Sequence, residues 1–202
     1  MSKLILVSNR LPVTVQRNAA GFAFQNSIGG LATGLMNYHQ QAGSVWVGWL
    51  GITDEDMPSG EKDHVQKRLQ EEYQCRPVFL SDQDISLYYH GFCNKTIWPL
   101  FHYFKNKTEY DHEAWEAYQS VNRKFLESME PIIEENDIIW VHDYHLMLLP
   151  QMIKEKYPQS QVGFFLHIPF PSFEIFRLLI WREEILSGLL GADLIGFHTY
   201  DY

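Results

Sequence analysis

Cysteine is scarce in this chain. Only Cys75 and Cys93 occur among 202 residues, and their spacing suits no metal site. That excludes a disulfide framework and leads to the reading of two reduced thiols in a cytoplasmic protein. Long apolar runs are missing as well: Leu4 to Val7 is followed at once by Ser8-Asn9-Arg10, too little for a secretory leader, and no run approaches membrane-spanning length. No block of Lys and Arg appears, and 16 basic against 25 acidic residues leave a formal net charge of −9. This balance argues against nucleic acid as a partner and against a membrane surface. It also means that an anionic ligand needs locally clustered cations working against the overall field. The sequence lacks the nucleophile elbow G-x-S-x-G, the zinc motif H-E-x-x-H, the dinucleotide fingerprint and the Walker A loop. Low-complexity tracts, internal repeats and linker-like stretches are absent too.

What the chain does have is one construction used four times. Asp137 opens the run Ile138-Ile-Trp-Val141, which has no polar side chain and no alternation, as expected of a strand covered on both faces. His142, Asp143, Tyr144 and His145 follow directly, and a helix carrying Met152 and Ile153 comes next. Leu4–Val7 runs likewise into Ser8-Asn9-Arg10, Val162–Leu166 into His167-Ile-Pro-Phe-Pro171, and Leu194-Ile195 into Gly196-Phe-His-Thr199. Apolar strands ending in polar clusters before helices predict an α/β fold. The expectation is a Rossmann-like open sheet, mainly parallel, with helices on both faces and ligands bound outside the strands' carboxyl ends. With 46% apolar residues the chain is long enough for one domain with a full core.

In order along the chain, Val13–Arg17 and Phe22–Phe24 alternate around Asn18-Ala-Ala-Gly21 and predict a hairpin. Gly29 and Gly30 fall where a helix should start, exposing unpaired N–H groups at the positive end of its dipole. Read alone, a Gly-Gly pair is either a tight turn or a seat for phosphate. Val45–Trp49 and Arg76–Leu80 read as strands, and Glu61–Gln74 as a solvated helix with Val65, Leu69 and Tyr73 on its inner stripe. Ser81 and Asp84 fit a capping box. The segment Thr96–Tyr103 is unusually aromatic; Phe101 and Tyr103 are expected in the core, whereas Tyr89 and Trp98 each join an apolar body to a polar handle suited to a sugar. A long amphipathic helix is expected from Asp111 to Ile133. A further helix is expected from Ser172 to Gly188 or Gly191, packed under other elements because it is apolar on much of its surface. Tyr200-Asp201-Tyr202 sits where a crossover helix should begin, so the polypeptide reads as cut off in mid-fold.

Two chemistries remain open on the residues alone. His142, Asp143, His145, His167 and His198 are compatible with metal ligation, but no metal signature supports them, and neither metal nor cofactor is expected. Group transfer between phosphorylated substrates uses more of the features. Arg10 offers a planar donor fork for phosphate, and Asp143 accepts a hydrogen bond from a sugar hydroxyl.

Ser8-Asn-Arg-Leu-Pro-Val13, Gly29-Gly-Leu-Ala-Thr-Gly34, Trp46-Val-Gly-Trp49, Ile97–Tyr103, Trp140–Leu146 and Gly163–Pro171 together resemble the trehalose-6-phosphate synthases, in order and spacing, over essentially the whole chain. The resemblance implies a two-lobed GT-B glycosyltransferase. Such an enzyme moves glucose from UDP-glucose to glucose 6-phosphate with retention, giving trehalose 6-phosphate and UDP without a metal. By the same resemblance Arg10, Trp49 and Tyr89 hold the acceptor phosphate, Trp98 borders the acceptor sugar and Asp143 binds its hydroxyls. Gly29 and Gly30 approach the donor diphosphate, His167 faces the donor sugar, and Asp143 and His167 stand closest to the chemistry. The sequence departs from that family in length. Residues 1–202 correspond to the N-terminal, acceptor-side lobe, and the nucleotide-sugar lobe has no counterpart. The chain alone is therefore expected to be inactive. A competing reading is a non-catalytic regulatory subunit or sugar-phosphate sensor, and a homo-oligomer of the longer form stays open.

Overall fold

A computed structural model describes residues 2–18, 21–27, 29–58 and 60–199. The hairpin apex at Ala19-Ala20 and the terminal Tyr200–Tyr202 therefore lie outside the described residues. The strands are β1 (Leu4–Arg10), β2 (Val13–Asn18), β3 (Gly21–Asn26), β4 (Val45–Trp49), β5 (Cys75–Val78), β6 (Ile138–His142), β7 (Gln161–Leu166) and β8 (Leu194–Phe197). Six of them form one sheet in the order β5-β4-β1-β6-β7-β8, and every pairing in it is parallel. β2 and β3 form the expected antiparallel hairpin apart from that sheet.

The helices are α1 (Gly30–Ala42), α2 (Glu61–Tyr73), α3 (Asp82–Asp84), α4 (Trp98–Phe101), α5 (His112–Met129), α6 (Leu149–Lys156), α7 (Phe173–Phe176) and α8 (Arg182–Leu190). Between α3 and α4 the chain winds as a π-helix, Ile85–Ile97. From β1 the chain proceeds through β4 to β5 on one side and from β6 through β7 to β8 on the other. Right-handed crossovers then place α1 and α2 on one face and α6 and α8 on the opposite face. The reversal of direction falls between β1 and β6, where open α/β sheets form their binding crevice.

The core is continuous across both halves. Ile5, Leu6 and Val7 are fully buried, as an unalternating central strand requires, and Ile139, Val141, Val162, Phe164 and Leu166 continue the layer. Gly48 permits a close approach: a Cβ there would stand 2.8 Å from the backbone of Ser8 and Leu11, so any side chain would push against the end of β1. Gly188 does the same for α8, where any side chain would meet the backbone of Met147 and Leu148. The capping box at Ser81 forms as expected, its hydroxyl accepting from Asp84 N–H while the Asp84 carboxylate accepts from Ser81 N–H.

Three expectations need correction. Tyr103 is 53% exposed with φ of 67°, because the chain turns sharply after α4 and carries the ring outward. Its hydroxyl instead accepts the backbone N–H of Ser172. The helix expected from Ser172 breaks into α7 and α8, and Ser172 makes no side-chain cap. Nor is that segment packed away: Phe173 is 72% exposed and Leu190 75% exposed. Apolar composition set that expectation, but only one side of each short helix is covered: Phe176 packs on Phe101, and Ile185 and Leu189 are buried, while the opposite side stays open.

Candidate active site

The four polar strand ends do come together, since β1, β6, β7 and β8 are successive neighbours in the sheet. The end of β1 carries Ser8, Asn9 and Arg10, and its pairing with β4 shifts register between Val7 and Arg10. Such an irregularity re-aims side chains at a strand end. Ser8 holds the distortion: its hydroxyl donates to Arg10 O at 2.7 Å and accepts from the indole of Trp46 at 2.8 Å. Arg10 emerges exposed, its guanidinium 4.6 Å from the ring centroid of Trp49. Trp49 is itself buried, and its only side-chain donor is given to Ile52 O. The tryptophan therefore lies beneath Arg10 and steadies it by a cation–π contact.

Next to β1, the end of β6 delivers His142 and Asp143. Asp143 has φ of 74° and ψ of 165°, a conformation a non-glycine residue keeps only when its surroundings impose it. They do. Its backbone N–H donates to Phe165 O at 2.8 Å, and its carboxylate accepts the His167 N–H at 3.2 Å. The turn that follows is pinned from α5: Tyr118 Oη donates to Tyr144 O and accepts from Met147 N–H, while Asn122 Nδ2 donates to His145 O. Burial raises the Asp143 carboxyl to about 6, opposed by hydrogen bonds from the Tyr144 and His167 backbone and by nearby His198 and His102. The carboxylate is thus poised to change protonation near neutrality.

β7 supplies His167. Its Nε2 lies 3.2 Å from His142 Nδ1 and its Nδ1 lies 3.2 Å from His198 Nε2, so three imidazoles run in a line across the ends of β6, β7 and β8. Burial lowers His142 to about 3 and His167 to about 4, each helped by its histidine neighbour. Both are neutral at physiological pH.

Two adjoining cavities use these groups. One, of about 290 Å³, is lined by Arg10, Thr14, Ser27, Gly29, Gly30, Tyr89, His142, Asp143 and His145 among others. The second, of about 530 Å³, is lined by Gly34, Leu35, Trp140, Phe165, His167 and His198, with Gly30, Leu31 and His142 shared. The start of α1 lies between them. Gly29 caps that helix without a side-chain hydrogen bond, and its first turn carries no acidic residue. Nothing stands within 4 Å of where a Cβ on Gly29 or Gly30 would lie. Backbone donors, helix dipole and Arg10 together suit this cavity to an anion.

Tyr89 reaches the smaller cavity from the π-helix, its ring stacked on His145 at 5.7 Å and 11°. Trp98 is farther out: 41% exposed, stacked on His102 at 4.1 Å, and lining neither cavity. His102, its stacking partner, is the neighbour it shares with the surroundings of Asp143. Arg10, Tyr89, Asp143, Gly29, Gly30 and His167 are thus brought together, while Trp49 and Trp98 stand behind them. Sequence reasoning missed Thr14 and Ser27, whose hydroxyls pair at 2.8 Å across the hairpin base, and the Tyr118–Asn122 brace. No local motif marks either. Among the described residues no group of three or more His, Cys, Asp or Glu is arranged to hold a metal ion.

The model of glycosyltransferase family 20 matches residues 2–202. An alpha,alpha-trehalose-phosphate synthase (UDP-forming) of Emericella nidulans is 47% identical over 206 residues, covering 100% of this chain and 40% of that protein. The 56 kDa subunit of the corresponding Saccharomyces cerevisiae synthase is 46% identical over 98% of this chain and 41% of its own length. Among solved structures, a Burkholderia xenovorans synthase in complex with glucose-6-phosphate superposes with a TM-score of 0.79 at 32% identity, covering 98% of this chain and 41% of that one. An E. coli protein bound with UDP-2-fluoro glucose gives 0.79 at 33% identity, over 99% and 40%. The chain thus spans about two fifths of the length of the relatives it matches.

Proposed function

Because the chain belongs to glycosyltransferase family 20, we propose that it is the acceptor-side, N-terminal lobe of a longer GT-B enzyme that transfers glucose from UDP-glucose to glucose 6-phosphate. The products are trehalose 6-phosphate and UDP, with the anomeric configuration retained. The observation that carries this reading is the shared rim: Arg10, Asp143 and the start of α1 line one cavity, and His167 lines the next.

In this reading the acceptor phosphate pairs with Arg10 and Tyr89, while Trp49 keeps the guanidinium oriented from below. Asp143 accepts hydrogen bonds from acceptor hydroxyls, and Trp98 with His102 closes the outer side. The donor diphosphate approaches the N–H groups at Gly29 and Gly30, and His167 meets the donor sugar. A transfer of this kind needs the acceptor oxygen, the anomeric carbon and the departing diphosphate on one face. The residues supply positioning and electrostatics, each able to lower the barrier substantially. Asp143 in its ionised form orients the attacking hydroxyl. In this scheme the transfer proceeds without a covalent intermediate on the protein. Among the described residues no helix is long and apolar enough to cross a membrane, and we place the enzyme in the cytoplasm.

The test is to incubate UDP-glucose and glucose 6-phosphate with the longer protein and, separately, with this chain. The proposal expects UDP and trehalose 6-phosphate in equal amounts from the longer protein and none from the chain alone. Binding of both sugars by the longer protein without turnover would instead support a regulatory or sensing subunit.

A further inference from the structure

The line of three imidazoles has a consequence for any ligand that His167 is to bind. A neutral imidazole has one donor and one acceptor nitrogen. In His167 both are engaged, Nε2 by His142 and Nδ1 by His198, each at 3.2 Å. A sugar hydroxyl therefore gains a nitrogen of His167 only by displacing one of the two neighbours.

The neighbours are not equally held. His142 belongs to β6, is 1% exposed, and packs against Trp140 at 4.6 Å. His198 follows the last residue of β8 and is exposed. Its ring is edge-on to Phe165 at 5.2 Å and to His167 at 5.1 Å, and it lines the same 530 Å³ cavity as His167. His198 stands at the cavity wall beyond the end of its strand, whereas moving His142 would open the core.

We propose that His198 competes with the donor sugar for Nδ1 of His167, so that it acts as a positioning residue whose withdrawal accompanies donor binding. This rests on the donor-facing role of His167 given above. While the contact stands, the hydrogen bond fixes the plane of the His167 ring. It also couples the proton position on His167 to that on His142, since a donor at one nitrogen requires an acceptor at the other. When the ligand takes Nδ1, the His142 side of the line stays in place and keeps the ring aligned.

The experiment measures UDP-glucose affinity by titration calorimetry in the longer protein, for wild type, His198→Ala, His198→Gln and His167→Ala. Losing one competing neutral hydrogen bond should tighten UDP-glucose by ~2- to 10-fold in His198→Ala. His198→Gln, which restores a polar group of similar reach, should return affinity towards wild type. His167→Ala should weaken it. In parallel, ¹⁵N imidazole spectra of this chain should show the nitrogens of His142 and His167 shifting together in His198→Ala, an effect that a merely structural residue would not produce.

Two results would overturn the proposal. Weaker or unchanged donor affinity in His198→Ala, with His167→Ala still impaired, would refute the competition and leave the donor-facing role standing. An unchanged affinity in His167→Ala would remove that role and the competition with it. A folding defect would appear as loss of glucose 6-phosphate binding in the same variants, and His198→Gln guards against it.

Discussion

The Asp143 carboxylate accepts the backbone N–H of His167 at 3.2 Å, while the Asp143 backbone N–H donates to Phe165 O at 2.8 Å. The ends of β6 and β7 are thereby tied by a side-chain bond and a main-chain bond centred on one strained, half-buried residue. A shift of either strand therefore moves Asp143 and His167 together.

That burial makes Asp143 a stability liability above its pKa. Its folded value is raised to about 6, so the folded state holds the proton more firmly than the unfolded state does. The favourable contribution is complete below the unfolded carboxylate range and is lost as pH rises through about 6. Asp143→Asn keeps an acceptor for His167 N–H and removes the charge. Thermal melts of this chain should show the variant stabilised by up to ~2–3 kcal/mol at about pH 7.5 and by little at about pH 4. Equal destabilisation at both values would contradict the assignment. In the longer protein the same variant should lose ~10- to 100-fold in kcat/KM for glucose 6-phosphate, as expected for hydrogen bonds to a charged group.

Arg10 and Trp49 should separate cleanly in kinetics. Arg10→Ala should raise the KM for glucose 6-phosphate by ~10-fold or more, the scale of one charge-assisted pair, and leave the KM for UDP-glucose nearly unchanged. Trp49→Leu removes only the aromatic face beneath the guanidinium, and should raise the acceptor KM by a smaller factor of ~2–5. Similar effects on both substrates would contradict the acceptor role.

Gly29 sets stability against anion binding. Its φ of −171° is open to any residue, and space is free around its Cβ position. Gly29→Asp should cap α1 and stabilise the chain by up to a few tenths of a kcal/mol over glycine. Its carboxylate would also occupy the helix N-terminus and repel a diphosphate. Calorimetry on the longer protein should find UDP-glucose binding weakened while the melting temperature holds or rises.

Gly48→Ala tests the packing behind Arg10. The added methyl meets backbone atoms of Ser8 and Leu11 at 2.8 Å, and neither can rotate away. The expected loss is ~1–3 kcal/mol by denaturant titration, with glucose 6-phosphate binding impaired in whatever fraction folds.

The sheet and its crevice were legible because their signals are local. Unalternating Ile138–Val141 and Val162–Leu166 mark parallel strands, though only one face of each is fully covered and Ile138 stays 41% exposed, and each polar cluster follows its strand directly. Strand order supplied the rest, since β1, β6, β7 and β8 prove adjacent. What escaped the sequence depends on long-range packing. Tyr103 looked like core because it sits in an aromatic run, yet a positive φ turns it outward. The segment after Ser172 looked packed under its neighbours because it is apolar, but composition does not reveal which side those neighbours cover, and Phe173 and Leu190 stay exposed. The histidines at positions 142, 167 and 198 were legible as a group at successive strand ends, but the ring-to-ring hydrogen bonds that line them up depend on packing that no spacing rule gives.

The most direct test is a crystal structure of this chain, or of the longer protein, with glucose 6-phosphate bound. The account predicts the phosphate within hydrogen-bonding distance of the Arg10 guanidinium and at least one sugar hydroxyl on the Asp143 carboxylate. A phosphate seated away from Arg10, or a sugar that leaves Asp143 untouched, would contradict it.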